Sequence, residues 1–425
     1  MQEGVLSQSY RSFGKGARTG YLDLINPGCI LLLGIISVFF IHSAQAYNGG
    51  TQWKMQIVWL ILGGGVYVMV SWLNYKILFE KAHLIYILCI LALIPLAVEA
   101  VLRDLNLGIS LPLVRTRYGA TRWLDLKILQ VQPSELAKVG TLILGASVLS
   151  RSLVGSIRES LEALGKVTLV FGIPMLLIFL QPDLGSTLVF PPMIFALLYA
   201  SRLSLRFFVT SSVLFVTAVS IVSIDCYRYY NYRFAEDAPA LVEGAQRYEE
   251  RSWLPLRDYQ RNRILGFIIP EVIDPRGINE TYNQMQSKIT VGSGGFFGKG
   301  LGNGTQAKTG YLPSSVAHND FIFSVIAEET GFIGASFILS IFLLMIANTI
   351  RIAVLARDRF GMLLAVGVAV LLLVHVFINV GMTMGLTPIT GLPLPFLSYG
   401  GTFVLSCCLL MGMVQSVYRF HRDFS

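Results

Sequence analysis

The chain alternates between long apolar runs and short polar connectors. Ten runs stand out, at about 24–44, 57–73, 84–102, 135–150, 166–181, 183–200, 206–225, 321–350, 362–384 and 396–418. Most have the roughly 17–25 residues that a helix rising 1.5 Å per residue needs to cross a bilayer, and the fourth to sixth are shorter. The pattern predicts an all-α integral membrane protein with about ten transmembrane helices, forming a single polytopic domain over residues 1–425. Lys and Arg set its orientation. Arg11, Lys15 and Arg18, Lys76 and Lys81, Arg151, Arg158 and Lys166, Arg202 and Arg206, Arg351, Arg357 and Arg359, and Arg419 and Arg422 all fall on one side. The positive-inside rule makes that side, and with it both termini, cytoplasmic. Residues 226–320 break the rhythm. They read as one long extracytoplasmic loop between spans 7 and 8, rich in charge and aromatics and too long for a plain connector.

Composition agrees, with 54% hydrophobic and 14% charged residues, against about 25% charged in soluble domains. The first 20 residues lack an apolar core and a cleavage site, so no removable signal peptide is expected and the first span targets the chain. The net charge of +8 reads as the basic bias of cytoplasmic loops rather than a nucleic-acid footprint. One loop on the outer side is nevertheless basic, with Arg103, Arg115, Arg117, Arg122 and Lys127; an anionic ligand would account for it. Cys29, Cys89, Cys226, Cys407 and Cys408 make no metal-ligand pattern and read as core residues.

On this topology spans 4, 6, 8 and 10 all begin on the outer side, and each opens with an unusual motif: VQPSELAK, QPDLGS, HNDFIF and PFLSYGG. Singly, each has a bland reading. Pro133 and Pro182 suit a first helical turn. Glu135 and Asp183 suit the positive end of a helix dipole, and Asp320 suits an N-cap. Together they leave residues unexplained. Lys138 follows Glu135 by three residues and can pair with it, and ionisable groups within a membrane mark function by default. Glu328 and Glu329 lie about 12–14 Å along the eighth span from Asp320. A structural ion pair is expected for them, with Glu328 nearer the face of Asp320. Trp123, beside Arg122, reads as an interfacial belt residue. GSGGFFGKGLGNGTQ (292–306) lacks P-loop spacing, and its glycines are expected to turn tightly and approach a ligand. GLTPITGLPLPFLSYGGT (385–402) is uncharged and broken by prolines, which predicts a re-entrant loop buried in protein. His375 lies four residues before Asn379 in span 9 and reads as a packing residue.

Helix N-termini, glycine amides, Arg122 and Lys138 on one face favour a phosphate-type anion. Asp320 can act there as a general base. No nucleotide-activated donor is expected outside the cell, so a donor pre-activated as a lipid-linked phosphate or diphosphate is implied. The spacing leaves a lipid-phosphate enzyme and a lipid-phosphate transporter both open.

GATRWLDL, VQPSELAK, QPDLGS, LRDYQRNRI, QSKITVGSGGFFGKGLGNGTQ, HNDFIFSVIAEETGF and GLPLPFLSYGGT, in this order between about residues 119 and 402, closely resemble the signatures of the SEDS family (shape, elongation, division and sporulation). QSKITVGSGG and GKGLGNGTQ resemble its elongation branch more than its division branch. The resemblance implies a peptidoglycan glycosyltransferase of the bacterial cytoplasmic membrane that polymerises lipid II on the outer face. Its partners would be a class B penicillin-binding protein, which supplies the transpeptidase, and the elongation machinery; no nucleic acid is implied. The implied catalytic base is Asp320. Arg122, Glu135, Lys138, Asp183 and Lys288 are implied to bind substrate, and Trp123, Glu328, Ser398 and Gly400 to support the site. Undecaprenyl diphosphate would leave as a β-1,4 link forms. A divalent cation, Mg2+ or Mn2+, can share the charge on the diphosphate, though no ligand cluster identifies it. A lipid II flippase is the rival reading, and it predicts polar groups through the midplane, whereas the motifs here concentrate on one side. A scaffold for the transpeptidase is a third. The chain also departs from the family pattern. Leu312-Pro313-Ser314-Ser315-Val316-Ala317-His318-Asn319-Asp320-Phe321 stands where LPExHTDF is usual, residues 230–252 read as an insertion, and Phe403 replaces a small residue.

Overall fold

In the computed structural model each of the ten apolar runs contains a helix. The structure describes residues 22–45, 49–105, 111, 114–117, 120–125, 130–152, 157–203, 205–234, 248, 251–254, 256, 258–270, 274 and 281–421. In chain order the helices are α1 (Ile25–Ala44), α2 (Gln52–Trp72), α3 (Lys76–Glu80), α4 (Ala82–Asp104), α5 (Pro133–Arg151), α6 (Ile157–Leu180), α7 (Leu184–Leu188), α8 (Phe190–Ala200), α9 (Leu205–Phe234), α10 (Asp258–Ile268), α11 (Tyr282–Ser293), α12 (Thr305–Lys308), α13 (Ser314–Ala317), α14 (Ile322–Leu355), α15 (Arg359–Met384) and α16 (Gly401–Arg419). Eight of them are long and apolar enough to cross a membrane. Two expected spans differ. The sixth is split into α7 and α8, and Pro191 opens the second piece, where a missing N–H costs nothing. The fourth, α5, carries buried Ser134, Glu135, Lys138, Thr141 and Ser147. It packs against α4, α6 and α15, and protein surroundings tolerate polar side chains that lipid would exclude.

The basic loop after α4 departs from the all-α expectation. Strands β1 (Val114–Arg117), β2 (Ala120–Asp125) and β3 (Gln130–Val131) form an antiparallel sheet in that order, with Arg115 opposite Trp123 and Asp125 opposite Gln130. β-branched and aromatic residues at Val114, Thr116, Thr121 and Trp123 favour strand geometry. The long loop also begins later than expected, because α9 continues to Phe234. A buried ion pair between Arg261 of α10 and Asp225 (2.8 Å) and a Tyr229–Asn262 hydrogen bond (2.8 Å) hold that extension. Of the insertion expected at 230–252, only 230–234, 248, 251 and 252 lie within the described residues.

The Gly-rich segment makes the expected tight turns, with positive φ at Gly295, Gly298, Gly300 and Gly302. It is fitted into a break in α14. Gly331 has φ +66°, outside helical geometry, so the carbonyls before it lose their intrahelical donors. Lys299 and Gly300 supply N–H groups to the Glu328 and Glu329 carbonyls (3.1 and 2.9 Å), and Phe332 and Ile333 donate theirs in return to the Gly295 and Phe296 carbonyls (2.9 and 3.3 Å). The two acids clasp the same segment. Glu328 accepts from Lys299 (2.6 Å), the Thr305 N–H and hydroxyl (both 2.9 Å) and the Gln306 N–H (3.2 Å). Glu329 accepts from Ser43 and from the Gly302 and Gly304 N–H groups. Glu328 thus has the expected ion pair, while Glu329 is held by amides and a hydroxyl. A β-carbon at Gly331 would overlap the Gly298 backbone. Gly331→Ala is therefore expected to destabilise the fold by at least about 1–3 kcal/mol, read as a lowered unfolding temperature in detergent.

Candidate active site

The starts of α5, α7, α14 and α16 converge at one end of the bundle. Gln132, at the N-cap of α5, donates its N–H to the Thr402 hydroxyl of α16 (3.4 Å) and its side-chain amide to Asp183 (3.4 Å). Asp183 caps α7 by accepting the Ser186 N–H (3.2 Å). Arg122 of β2 lies 3.8 Å from the Asp183 carboxylate and donates to the Pro182 carbonyl. Successive strand residues face opposite ways, so Trp123 is turned to the other side of the sheet from Arg122 and does not join it.

Residues 385–400 are non-helical and re-entrant, as their prolines predict. Leu392, Leu394, Phe396, Leu397 and Ser398 are buried. The depth follows from their partners. The Leu397 carbonyl accepts from Ser37, and the Ser398 carbonyl from Gln56. Ser37 lies seven residues before the end of α1, about 10 Å at 1.5 Å per residue. Asn379, five residues before the end of α15, donates to Asp320 and Leu392 carbonyls (2.8 and 2.7 Å). Asp320 therefore sits in a connecting segment below the ends of the surrounding helices.

Asp320 is not the expected cap. The N-cap of α14 is Phe321, with no side-chain cap bond, because the turn after α13 closes through Phe321 N–H to the Val316 carbonyl (3.1 Å). The Asp320 carboxylate takes no hydrogen bond among the described residues. It is partly buried, and a β-carbon on Gly391 would lie 3.4 Å from its Oδ2. Desolvation raises its pKa from 3.8 to about 6, against the pull of Arg122 and Arg263, with Asp183 pushing upward. Arg263 comes from α10 and donates to the Ile389 carbonyl (3.5 Å), two residues from Gly391. It belongs to the LRDYQRNRI motif, the signal by which it was findable, yet its position against Asp320 depends on how α10 docks.

Glu135 and Lys138, expected to bind substrate, pair with each other inside the bundle. Both are buried, 2.8 Å apart, with 1% of the Lys138 side chain exposed. Lys138 Nζ also lies 3.2 Å from His375 Nε2. His375 Nδ1 lies 3.1 Å from the Pro393 carbonyl, which can only accept, so Nδ1 carries the proton and Nε2 accepts from Lys138. The chain Glu135–Lys138–His375–Pro393 ties α5 through α15 to the re-entrant loop. Lys288 is exposed on α11, with its stem across Gly385 at the end of α15, and no described contact joins it to Asp320. Glu328 belongs to the Gly-rich clasp. Ser398 donates to the Asn319 carbonyl (2.7 Å). Gly400 is the N-cap of α16 and has room for a β-carbon. Its neighbour Gly401 is the constrained one, since a β-carbon there would overlap the Trp59 indole. Gly401→Ala is accordingly expected to reduce folded yield in size-exclusion profiles, whereas Gly400→Ala leaves it unchanged.

Three comparisons bear on this arrangement. The FtsW/RodA/SpoVE family of cell cycle proteins matches residues 24–423. The peptidoglycan glycosyltransferase MrdB of Escherichia coli K12 is 32% identical over 397 residues, covering 93% of this chain and 93% of MrdB. A protein named FtsW from Geobacter sp. (strain M18) is 33% identical, over 71% of this chain and 72% of its own. Among solved structures, a chain from a peptidoglycan synthase complex that coordinates polymerization and crosslinking is similar with a TM-score of 0.71 at 25% identity, covering 95% of this chain and 99% of that one. A match across nearly the whole length, on a fold that gathers the four motifs at one end, means that the chain belongs to the FtsW/RodA/SpoVE family of cell cycle proteins.

Proposed function

We propose that this protein is a peptidoglycan glycosyltransferase that polymerises lipid II at the outer face of the cytoplasmic membrane during cell elongation. The observation that carries the reading is Asp320: a partly buried carboxylate with raised proton affinity, unspent on any described hydrogen bond and faced by Arg122 and Arg263. Family membership and the activities named for its relatives support the reaction class. Asp320 takes the proton of the GlcNAc 4-hydroxyl of one lipid II as that oxygen attacks C1 of the lipid-linked MurNAc of another. The C1–oxygen bond breaks, undecaprenyl diphosphate leaves with the electron pair, and inversion gives the β-1,4 link. Arg122 and Arg263 offset the negative charge that grows on the diphosphate.

Protein ligands for Mg2+ or Mn2+ are not assembled here: no group of three His, Cys, Asp or Glu side chains comes together among the described residues. Asp183 is already taken by Ser186, Gln132 and Arg122. No step is therefore routed through a cation. A class B penicillin-binding protein is the proposed partner, supported by the likeness to a chain of a peptidoglycan synthase complex. Elongation is favoured over division by the Gly-rich sequence QSKITVGSGG. Purified protein incubated with lipid II is expected to yield glycan chains on a gel; reconstituted protein that moves lipid II between leaflets without forming product would overturn the enzyme reading. Depletion in the source bacterium is expected to round the cells, and filaments would point to division instead.

A further inference from the structure

Three consecutive backbone carbonyls ahead of α14 are each captured, two from the re-entrant segment and one from α15. The His318 carbonyl accepts the Tyr399 N–H (3.0 Å), the Asn319 carbonyl accepts the Ser398 hydroxyl (2.7 Å), and the Asp320 carbonyl accepts the Asn379 amide (2.8 Å). The second Asn379 N–H goes to the Leu392 carbonyl (2.7 Å). Asn379 is fully buried, and its Oδ1 has no partner among the described residues. An unpaired buried amide oxygen is unfavourable. Flipping the amide would set that oxygen against two carbonyls, so the orientation is fixed by what the group donates to. The side chain therefore serves through its two N–H groups. One holds the peptide of Asp320, and the other holds the residue next to Gly391, which lies in front of the Asp320 carboxylate.

We propose that Asn379 is a positioning residue for the general base, aiming the Asp320 carboxylate through Asp320's own peptide, with Ser398 as a second tether. A general base needs a fixed direction and an available lone pair. Donors placed directly on the carboxylate would give the direction but stabilise the charged form and lower its proton affinity. Holding the backbone instead gives direction while leaving the basicity intact. The proposal rests on reading Asp320 as the base of lipid II polymerisation.

The test compares wild-type, Asn379→Leu and Ser398→Ala full-length proteins, purified and assayed with lipid II for kcat, KM, pH profile and thermal unfolding. Asn379→Leu keeps the approximate volume and removes both donors. It is expected to lower kcat about 10²-fold, the scale of a misplacement near 1 Å, with KM changed by less than about threefold. The acid limb of kcat is expected to move below about 6, as a loosened carboxylate gains solvent. Ser398→Ala is expected to do the same more weakly, and it decides the question on the same readouts if Asn379→Leu does not fold. Wild-type kcat in a folded Asn379→Leu protein overturns the tether, as does a loss that tracks thermal unfolding while the pH profile stays in place. Absence of glycan from the wild type would overturn the functional reading itself; an active wild type with inactive Asp320→Asn and fully active Asn379→Leu would overturn the tether alone.

Discussion

Asp320→Asn is expected to lower lipid II polymerisation by about 10²–10⁴-fold, the usual contribution of a general base, while the protein folds as before. Its carboxylate accepts no described hydrogen bond and caps no helix, so an amide of the same shape removes proton affinity and little else. The pH dependence follows from the same group. A base works deprotonated, so the rate is expected to rise with pH, half-developed near the pKa of about 6. Stability runs the other way. Asp320 is raised above its ordinary 3.8, so the unfolded chain ionises first and the fold loses stability as pH climbs between those values. Gel quantification of glycan across pH 5–8 (a range of about three units around the pKa) checks the first expectation. A flat profile, or product from Asp320→Asn at the wild-type rate, would remove Asp320 from the chemistry.

Lys138→Met is expected to have the largest effect on stability. It strands the Glu135 carboxylate inside the bundle, a change that costs about 3–5 kcal/mol for a buried pair. It also removes the donor to His375 Nε2, and with it the connection from α5 to Pro393. Removing both charges in Glu135→Leu with Lys138→Met is expected to recover most of the folding, because well-packed apolar side chains replace a buried ion pair at little net cost. The recovered protein is still expected to polymerise slowly, since the re-entrant loop has lost one of its anchors. Thermal unfolding in detergent reads the stability and the lipid II assay reads the activity. A single variant as stable as the wild type would show that the pair holds nothing.

These residues also separate what was legible in the chain from what was not. The helices were legible because membrane insertion depends on local composition, and each apolar run supplies its own signal. Alternating spans put VQPSELAK, QPDLGS, HNDFIF and PFLSYGG at one end before any contact was known. The Pro- and Gly-rich, uncharged stretch announced a re-entrant loop, because no regular helix tolerates it. The partners were not legible. Lys138 meets His375 across 237 positions, and Asn379 meets Asp320 across 59. Capping, the local expectation for Asp320, failed because the preceding turn closes on Phe321. The glycines of 292–306 were legible as tight turns, but their pairing with the break at Gly331 was not. Arg263 sat in a recognisable motif, while its approach to the site is set by the Arg261–Asp225 pair that docks α10.

By itself, then, the sequence determined an all-α membrane protein, the end of the bundle where the four motifs gather, and Asp320 as the candidate carboxylate there. Those follow from hydropathy, charge bias and motif order, which are properties of short segments. Only the tertiary structure decided which charges are sealed into the scaffold and which face Asp320. That depends on contacts between distant helices, where burial turns Lys138 into a strut and leaves the Asp320 carboxylate unspent.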